Sequence, residues 1–334
     1  MTTTPTPLRL GATGPTVFPF ALGCMGMSGM YGDADEIESI ATIHAALERG
    51  VTLLDTGDFY GIGKNEMLLG RALRGRRDQA LLSVKFGALR APDGSFVGYD
   101  ARPQAVKNFL AYSLARLGVD HVDIYRPARL DAAVPIEDTI GAIAELVKAG
   151  YVRHIGLSEV GVDTLRRAAR VHPIVDLQIE YSVLSRGPEA AIFPALDELG
   201  IGVTAYGVLS RGLVTGARPT AGDFRANLPR FSGDNRAHNQ RLVDALAAIA
   251  AARGVTPAQL AIAYVRAKRP SIVATLGART RRQLDESLSA LTIALTPAEV
   301  AALEAAVPAA EVAGTRYQAP LMAHLDSERP PSLT

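Results

Sequence analysis

Short apolar runs alternate with longer amphipathic stretches along almost the whole chain. The runs at 18–22, 51–55, 80–84, 122–125, 152–157, 175–179, 201–205 and 271–275 are four to six residues long. That is the length and composition of strands buried on both faces. Between them, 33–49, 65–73, 103–117, 136–149, 162–170, 189–199 and 280–290 read as helices, with Ile37, Ile40, Ala41 and His44 near one face of the first. Pro103 suits a first helical turn, and Gly118 and Gly150 suit helix ends. Alternating βα units imply a parallel sheet. Eight units without a compositional break favour a closed (β/α)8 barrel over a doubly wound sheet.

The chain therefore reads as one domain over 1–334, with its core from about residue 8 to about 315. Residues 1–7 and 318–334 read as tails, the second crossing the surface. Leu8-Arg9-Leu10 and Pro15-Thr16-Val17 flank Gly11-Ala12-Thr13-Gly14, which predicts a β-hairpin ahead of the barrel. Segments 25–35, 86–100 and 207–237 are expected as long loops at the carboxyl ends of strands, the last too long and too rich in Gly and Arg for a routine connection.

Bulk properties narrow the class. A chain of 334 residues, 48% hydrophobic, can bury a large core, and a net charge of +1 leaves no electrostatic footprint for nucleic acid. The N-terminal Met1-Thr2-Thr3-Thr4-Pro5-Thr6-Pro7 lacks the basic start and apolar stretch of a secretory signal, and no apolar run is long enough to span a bilayer. Cys24 is alone, so neither an intrachain disulfide nor a Cys-based zinc site can form; no two His fall at metal-ligand spacing. The expectation is a cytoplasmic protein with no metal and no nucleic-acid or membrane partner. Oligomeric state is open.

Barrel strand ends converge on one mouth, where chemistry is built. Asp55, Lys85, Ser158 with Glu159, Gln178 with Glu180, and Tyr206 all fall at such ends, and Tyr60 follows Asp55 on the next loop. Taken singly, Asp55 reads as a loop acid, Tyr60 as packing, and Ser158 and Gln178 as partners for loop backbone. Together Asp55, Tyr60 and Lys85 make a proton-transfer cluster. Asp55 would keep Lys85 charged, and Lys85 would lower the phenol's pKa towards neutrality. Gly277-Ala278-Arg279-Thr280 before a helix offers backbone donors and a guanidinium to an anion. The glycines of Gly23-Cys24-Met25-Gly26-Met27-Ser28-Gly29 suggest backbone close to a ligand, although no dinucleotide-binding G-x-G-x-x-G is present.

These motifs resemble those of the aldo-keto reductases over nearly the whole chain. Asp55-Thr56-Gly57-Asp58-Phe59-Tyr60-Gly61 matches the family's first signature, and Gly156-Leu157-Ser158 and Ala205-Tyr206-Gly207-Val208-Leu209-Ser210-Arg211-Gly212 match later ones. Ile155-Gly156-Leu157-Ser158-Glu159 and Asn227-Leu228-Pro229-Arg230-Phe231 are similar to a bacterial branch. The resemblance implies NADP(H) at the barrel mouth and a small carbonyl or alcohol substrate. Tyr60 would be the proton donor, tuned by Lys85 and Asp55. Met25 and Asp55 would border the cofactor, Ser158 and Gln178 would hold its carboxamide, and Tyr206 would stack on its ring. Leu209, Ser210, Arg211 and Gly212 would follow the pyrophosphate. Gly277, Arg279, Gln283 and Glu286 would hold the adenosine end, with Arg279 favouring the 2′-phosphate.

One departure stands out. The family's fourth catalytic residue, a His that donates to the substrate carbonyl, is Ala128 here. Removing such a donor from an evolved site costs about 3 kcal/mol. Strand alternation puts Arg126 on Ala128's face, so Arg126, or a water, is expected to replace the donor. Tyr60, Arg126 and Ala128 would then border the substrate. Ser287 stands where the family often has Asn. Two rival readings follow: a regulatory barrel that binds cofactor without turnover, and a glycoside hydrolase using Glu159 and Glu180.

Overall fold

The computed structural model describes residues 6–220 and 222–330. A hairpin of β1 (Leu8–Arg9) and β2 (Thr16–Val17) precedes the barrel strands β3 (Phe20–Gly23), β4 (Leu53–Gly57) and β5 (Leu81–Phe86). A second hairpin, β6 (Ala88–Arg90) and β7 (Phe96–Tyr99), follows β5 directly. The barrel continues with β8 (Val122–Pro127), β9 (Val152–Ser158), β10 (Ile174–Glu180), β11 (Gly202–Tyr206) and β12 (Ile272–Gly277). These eight strands close in the order β3-β4-β5-β8-β9-β10-β11-β12, all parallel, with β12 returning to β3. This is the (β/α)8 barrel that the apolar runs predict, and each run contains or overlaps one strand.

Helices α1 (Glu36–Glu48), α2 (Lys64–Ala72), α3 (Pro103–Leu117), α4 (Ile136–Lys148), α5 (Val162–Val171) and α6 (Ile192–Leu199) occupy the expected intervals. The region after β11 differs. Residues 233–237, assigned to the long loop, begin a helix, α7 (Gly233–Ala252), which is followed by α8 (Pro257–Lys268). Then come α9 (Arg281–Ser289), α10 (Pro297–Ala306) and a single turn, α11 (Ala319–Met322). Two capping boxes mark missed helix starts: Thr256 with Gln259 opens α8, and Thr296 with Glu299 opens α10. Among the described residues, no single helix is long and apolar enough to cross a membrane.

The N-terminal hairpin closes the floor of the barrel. Leu10 and Val17 pack with Ala21, Leu53, Ile124, Val175 and Val273, which point inward from the strands. Gly11 has φ +65°, and a Cβ there would lie 2.4 Å from the Val175 carbonyl oxygen. Only glycine lets the turn approach so closely.

Above that apolar plug lies a polar layer. Arg126 is fully buried and donates to Asp176 Oδ2 (2.9 Å), Thr204 Oγ1 (3.2 Å) and Ser83 Oγ (3.1 Å). Gly156 makes room for this pair: a Cβ at that position would lie 2.6 Å from Asp176 Oδ1. The expectation that Arg126 borders the substrate is therefore wrong. Alternation correctly placed it on the inward face with Ala128, but two residues of strand put it about 6.6 Å deeper, a full side-chain layer below.

The C-terminal stretch also departs from expectation. Residues 1–5 and 331–334 of the two expected tails lie outside the described residues. Within the rest, Leu325 and Asp326 are buried, and Asp326 Oδ2 accepts from the Gly161 amide at the start of α5 (2.8 Å). The segment docks on the barrel mouth instead of merely crossing the surface.

Removing Arg126 leaves Asp176 in the barrel interior without its cation, holding only the Thr204 bond. Arg126→Met is expected to lower unfolding free energy by about 3–5 kcal/mol, and Arg126→Met with Asp176→Leu by clearly less. Urea denaturation of both variants checks this; equal losses would show that the ion pair is not the source.

Candidate active site

β4 delivers Asp55 to the mouth and β5 delivers Lys85, in adjacent strands whose register pairs Gly57 with Lys85. Lys85 Nζ donates to Asp55 Oδ1 at 2.6 Å, and both side chains are almost wholly buried. The second carboxylate oxygen accepts from Ser83 Oγ (3.0 Å) and Gln178 Nε2 (2.8 Å). Tyr60 sits over this pair, with Lys85 Nζ 5.2 Å from its ring centroid. The loop carrying Tyr60 is fixed by a turn through Gly61, Ile62 and Gly63, all at positive φ. Asn65, which sequence reasoning passed over, ties it down. Its amide oxygen accepts from Thr56 Oγ1 (2.7 Å) and its nitrogen donates to Cys24 O (2.8 Å), joining the loops after β3 and β4.

The electrostatics reverse one expectation. Burial pushes the Tyr60 phenol well above its ordinary value, and the Asp55 charge adds to the rise. Burial lowers Lys85 against the pull of Asp55. The phenol is therefore not tuned towards neutrality by the ammonium group alone; burial and Asp55 keep its proton in place. Burial also raises the Cys24 thiol, which fits the packing role of that side chain.

One cavity of about 430 Å³ opens at the mouth. Every expected site residue lines it except Arg126 and Ser210. Ser210 turns its hydroxyl to Ser182 Oγ at 3.2 Å, leaving only its backbone near the neighbouring Leu209 and Arg211. The cavity crosses the mouth from Ala128 on the β8 side to Gly277 and Arg279 after β12. Around Gly277 there is open space, since a Cβ there would find nothing nearer than 3.9 Å. Arg279 is held by the carbonyls of Tyr31 and Asp33 (both 3.1 Å) and has no carboxylate partner among the described residues. The size suits an extended ligand, and the open backbone beside an uncompensated guanidinium suits a phosphate.

Three contributors escaped the sequence reading. Arg129, beside Ala128, reaches Ala128 O (2.6 Å), Ser158 Oγ (3.4 Å) and Tyr317 Oη (3.0 Å). Tyr317, from the C-terminal stretch, also meets the Tyr206 hydroxyl at 3.1 Å and lies 4.5 Å from the Arg211 guanidinium. Tyr31 takes the Arg225 guanidinium on its ring face at 4.7 Å. The adjacency of Arg129 to Ala128 was visible in sequence; the roles of Tyr31 and Tyr317 depend on long-range folding.

Glu159 and Glu180 do not face this cavity. Burial would raise Glu159, but Arg316, donating to both of its oxygens (2.9 and 2.8 Å), holds it below the carboxylate range. Burial would likewise raise Glu180, and Arg211 and Arg316 hold it down. Both carboxylates are tied up in buried ion pairs away from the cavity, which removes the glycoside hydrolase reading.

Comparison with known proteins agrees with this geometry. A model of the Aldo/keto reductase family matches residues 19–308. A soybean (Glycine max) protein described as a probable aldo-keto reductase 1 is 38% identical over 320 residues, covering 93% of this chain and 91% of that one. Among solved structures, a glycerol dehydrogenase from Gluconobacter oxydans superposes with a TM-score of 0.81 at 25% identity over 100% of both chains. An aldo-keto reductase from Klebsiella pneumoniae in complex with NADPH gives 0.72 at 26% identity, over 91% of this chain and 95% of its own.

Asp58, in the same loop as Tyr60, is a strained acid. Oδ2 accepts a long bond from the Gly87 amide (3.3 Å), and Oδ1 is buried without a partner. Burial, then the charge of Glu66, pushes its pKa up to about 7. An acid raised in the fold stabilises it below the unfolded value and loses that contribution as pH climbs through the folded one. Stability should therefore fall between about pH 4 and about pH 7, by up to about 4 kcal/mol from this group. Asp58→Asn is expected to flatten that slope in denaturation measured across the range, and an unchanged slope would refute the assignment.

Proposed function

The chain belongs to the aldo/keto reductase family, and from that premise we propose that it reduces an aldehyde or ketone to the alcohol, with Tyr60 as the proton donor. Family membership makes it an NADP(H)-dependent oxidoreductase acting on a small carbonyl compound. The observation that carries the finer reading is the buried Tyr60 phenol beside the Lys85–Asp55 pair, on the wall of the mouth cavity.

NADPH, when bound, supplies the hydride that adds to the carbonyl carbon. Ser158 and Gln178 would hold its carboxamide end, and Tyr206, its hydroxyl anchored on Glu159 Oε1 at 2.7 Å, would offer the cofactor ring a stacking surface. Met25 borders the cofactor. Leu209, Arg211, Gly212 and the backbone of Ser210 would follow the pyrophosphate. Gly277, Gln283 and Glu286 enclose the adenosine end, and Arg279 selects NADP over NAD through the 2′-phosphate. As negative charge builds on the substrate oxygen, Tyr60 Oη gives up its proton to it. Lys85 stabilises the phenolate left behind, and Asp55 fixes Lys85 with its charge intact. The reverse alcohol oxidation uses the same groups, with Tyr60 as the base. Ala128 leaves room at the cavity wall where the family has its His.

The other reading, a barrel that binds NADPH without turnover, draws only on that Ala128. Titration with NADPH and NADH, followed by fluorescence, is expected to show tighter binding of NADPH. Tyr60→Phe should retain that binding while lowering carbonyl turnover about 10²–10⁴-fold. Binding of neither nucleotide would sink the reductase reading, and binding with no turnover of any carbonyl would favour the regulatory one.

A further inference from the structure

On the half of the mouth opposite the Arg279 end, one guanidinium feels the Glu159 carboxylate and the Tyr317 and Tyr206 phenols but has no carboxylate bonded to it among the described residues. Lys85 pairs with Asp55, Arg211 with Glu180, and Arg316 with Glu159. Arg129 remains. Its hydrogen-bond partners are all neutral oxygens, and among the described residues no carboxylate forms an ion pair with it. A guanidinium held within a cavity wall normally has a counter-charge, because desolvating it alone is costly. The cofactor's 2′-phosphate does not provide one. Arg129 follows β8 and Arg279 follows β12, and four steps around an eight-stranded barrel set them on opposite sides of the mouth.

The surroundings of Arg129 indicate the rest of the ligand. The hairpin after β5, on the strand next to β8, brings Phe96 and Tyr99 to the cavity, with Phe59 on the wall. Arg90, on the same hairpin, lies 6.0 Å from the Phe96 ring centroid; its recorded hydrogen bond is to Gly94 O, and it too has no carboxylate partner among the described residues. Burial raises the Tyr99 phenol while Arg129 and Arg90 both pull it back, so both charges are felt at this wall.

We propose that Arg129, with Arg90 at the rim, binds an oxyanion on the substrate, and that the substrate is an aromatic carbonyl compound bearing a carboxylate or phosphate. The proposal rests on the reductase reading for the reacting carbonyl, but the anion site stands on its own geometry. Arg129 fixes the charged end, Phe96 and Tyr99, packed against each other with ring centroids 5.0 Å apart, offer the ring one aromatic wall, and the carbonyl is directed to Tyr60. The space left by Ala128 belongs to the same side of the mouth, so losing the His opens a path from Arg129 to the reacting group.

The test compares NADPH-dependent reduction of 4-carboxybenzaldehyde and 4-formylphenyl phosphate with that of benzaldehyde. The wild-type protein should favour at least one anionic compound by about tenfold or more in kcat/KM, with the stronger of the two identifying the anion. Arg129→Gln should bring the anionic-to-neutral ratio down to within about threefold of unity, and Arg129→Lys should restore part of it. No preference in the wild type, or a preference that survives in both Arg129→Gln and Arg90→Gln, overturns the proposal. So does an Arg129→Gln variant that binds NADPH more weakly with the ratio intact, since Arg129 would then serve the cofactor. A parallel calorimetric titration of the NADP-loaded protein with benzoate and benzamide needs no turnover. Benzoate bound selectively with no carbonyl reduced would keep the anion site and reject the reductase reading, whereas equal binding of the two would reject the anion site. If Arg129→Gln does not fold, the wild-type ratio, the benzoate titration and Arg90→Gln decide.

Discussion

The ion pair between Lys85 and Asp55 is the constraint around which the mouth of this barrel is built. Two opposite charges at 2.6 Å, with side chains 4% and 7% exposed, survive burial only when their remaining hydrogen-bonding capacity is met. Ser83 and Gln178 meet it from neighbouring positions on β5 and β10. The Gln178 bond therefore carries the network across the barrel interior, tying the ends of β4 and β5 to that of β10. A hydrophobic filling of similar volume would be more forgiving of displacement, but it would hold no charge beneath the phenol.

A second pair, Arg126 with Asp176, lies one layer deeper and shares Ser83 with the first through its hydroxyl. The barrel interior is thus a stack: an apolar floor, a buried salt bridge, and the reactive pair at the top. Ser83 links the upper two layers, accepting from Arg126 and donating to Asp55. The consequence for reading sequence is specific. Alternation reports which way a strand residue points but is silent about depth, and depth separates a structural arginine from a site residue.

What was legible follows from how each residue is constrained. The eight strands were visible because strands buried on both faces must be continuously apolar and short. Asp55, Lys85, Ser158, Gln178 and Tyr206 were visible because a polar residue ending such a run has few places to go except the mouth. Helix α7 was hidden because its first turns hold Gly233, Asn235 and Asn239, which read as loop. Asn239 is in fact buried, binding the Ala313 backbone through both its amide nitrogen and its oxygen. Arg316 and Tyr317 were beyond reach for a different reason. Arg316 meets Glu159 across 157 residues of sequence, and no local pattern announces such a partner. The Tyr60 environment was misjudged in direction because charge proximity was weighed without the cost of burying the phenolate.

The proposed proton donation by Tyr60 depends on that cost. A phenol close to neutrality would be the stronger acid but would spend part of its time ionised. A phenol raised by burial and by Asp55 stays loaded until a stronger base appears, and an oxygen that has just gained negative charge from hydride addition is such a base. Lys85 then acts on the product of the transfer more than on its starting state. Its charge opposes the build-up of phenolate in a cavity that would otherwise resist it, while Asp55 keeps that charge from being lost to desolvation. The same logic reaches Arg129, whose positive charge also opposes the rise of the Tyr60 phenol. With Ala128 offering no donor, the cation on the neighbouring residue is part of the electrostatic field in which the substrate oxygen must accept its proton.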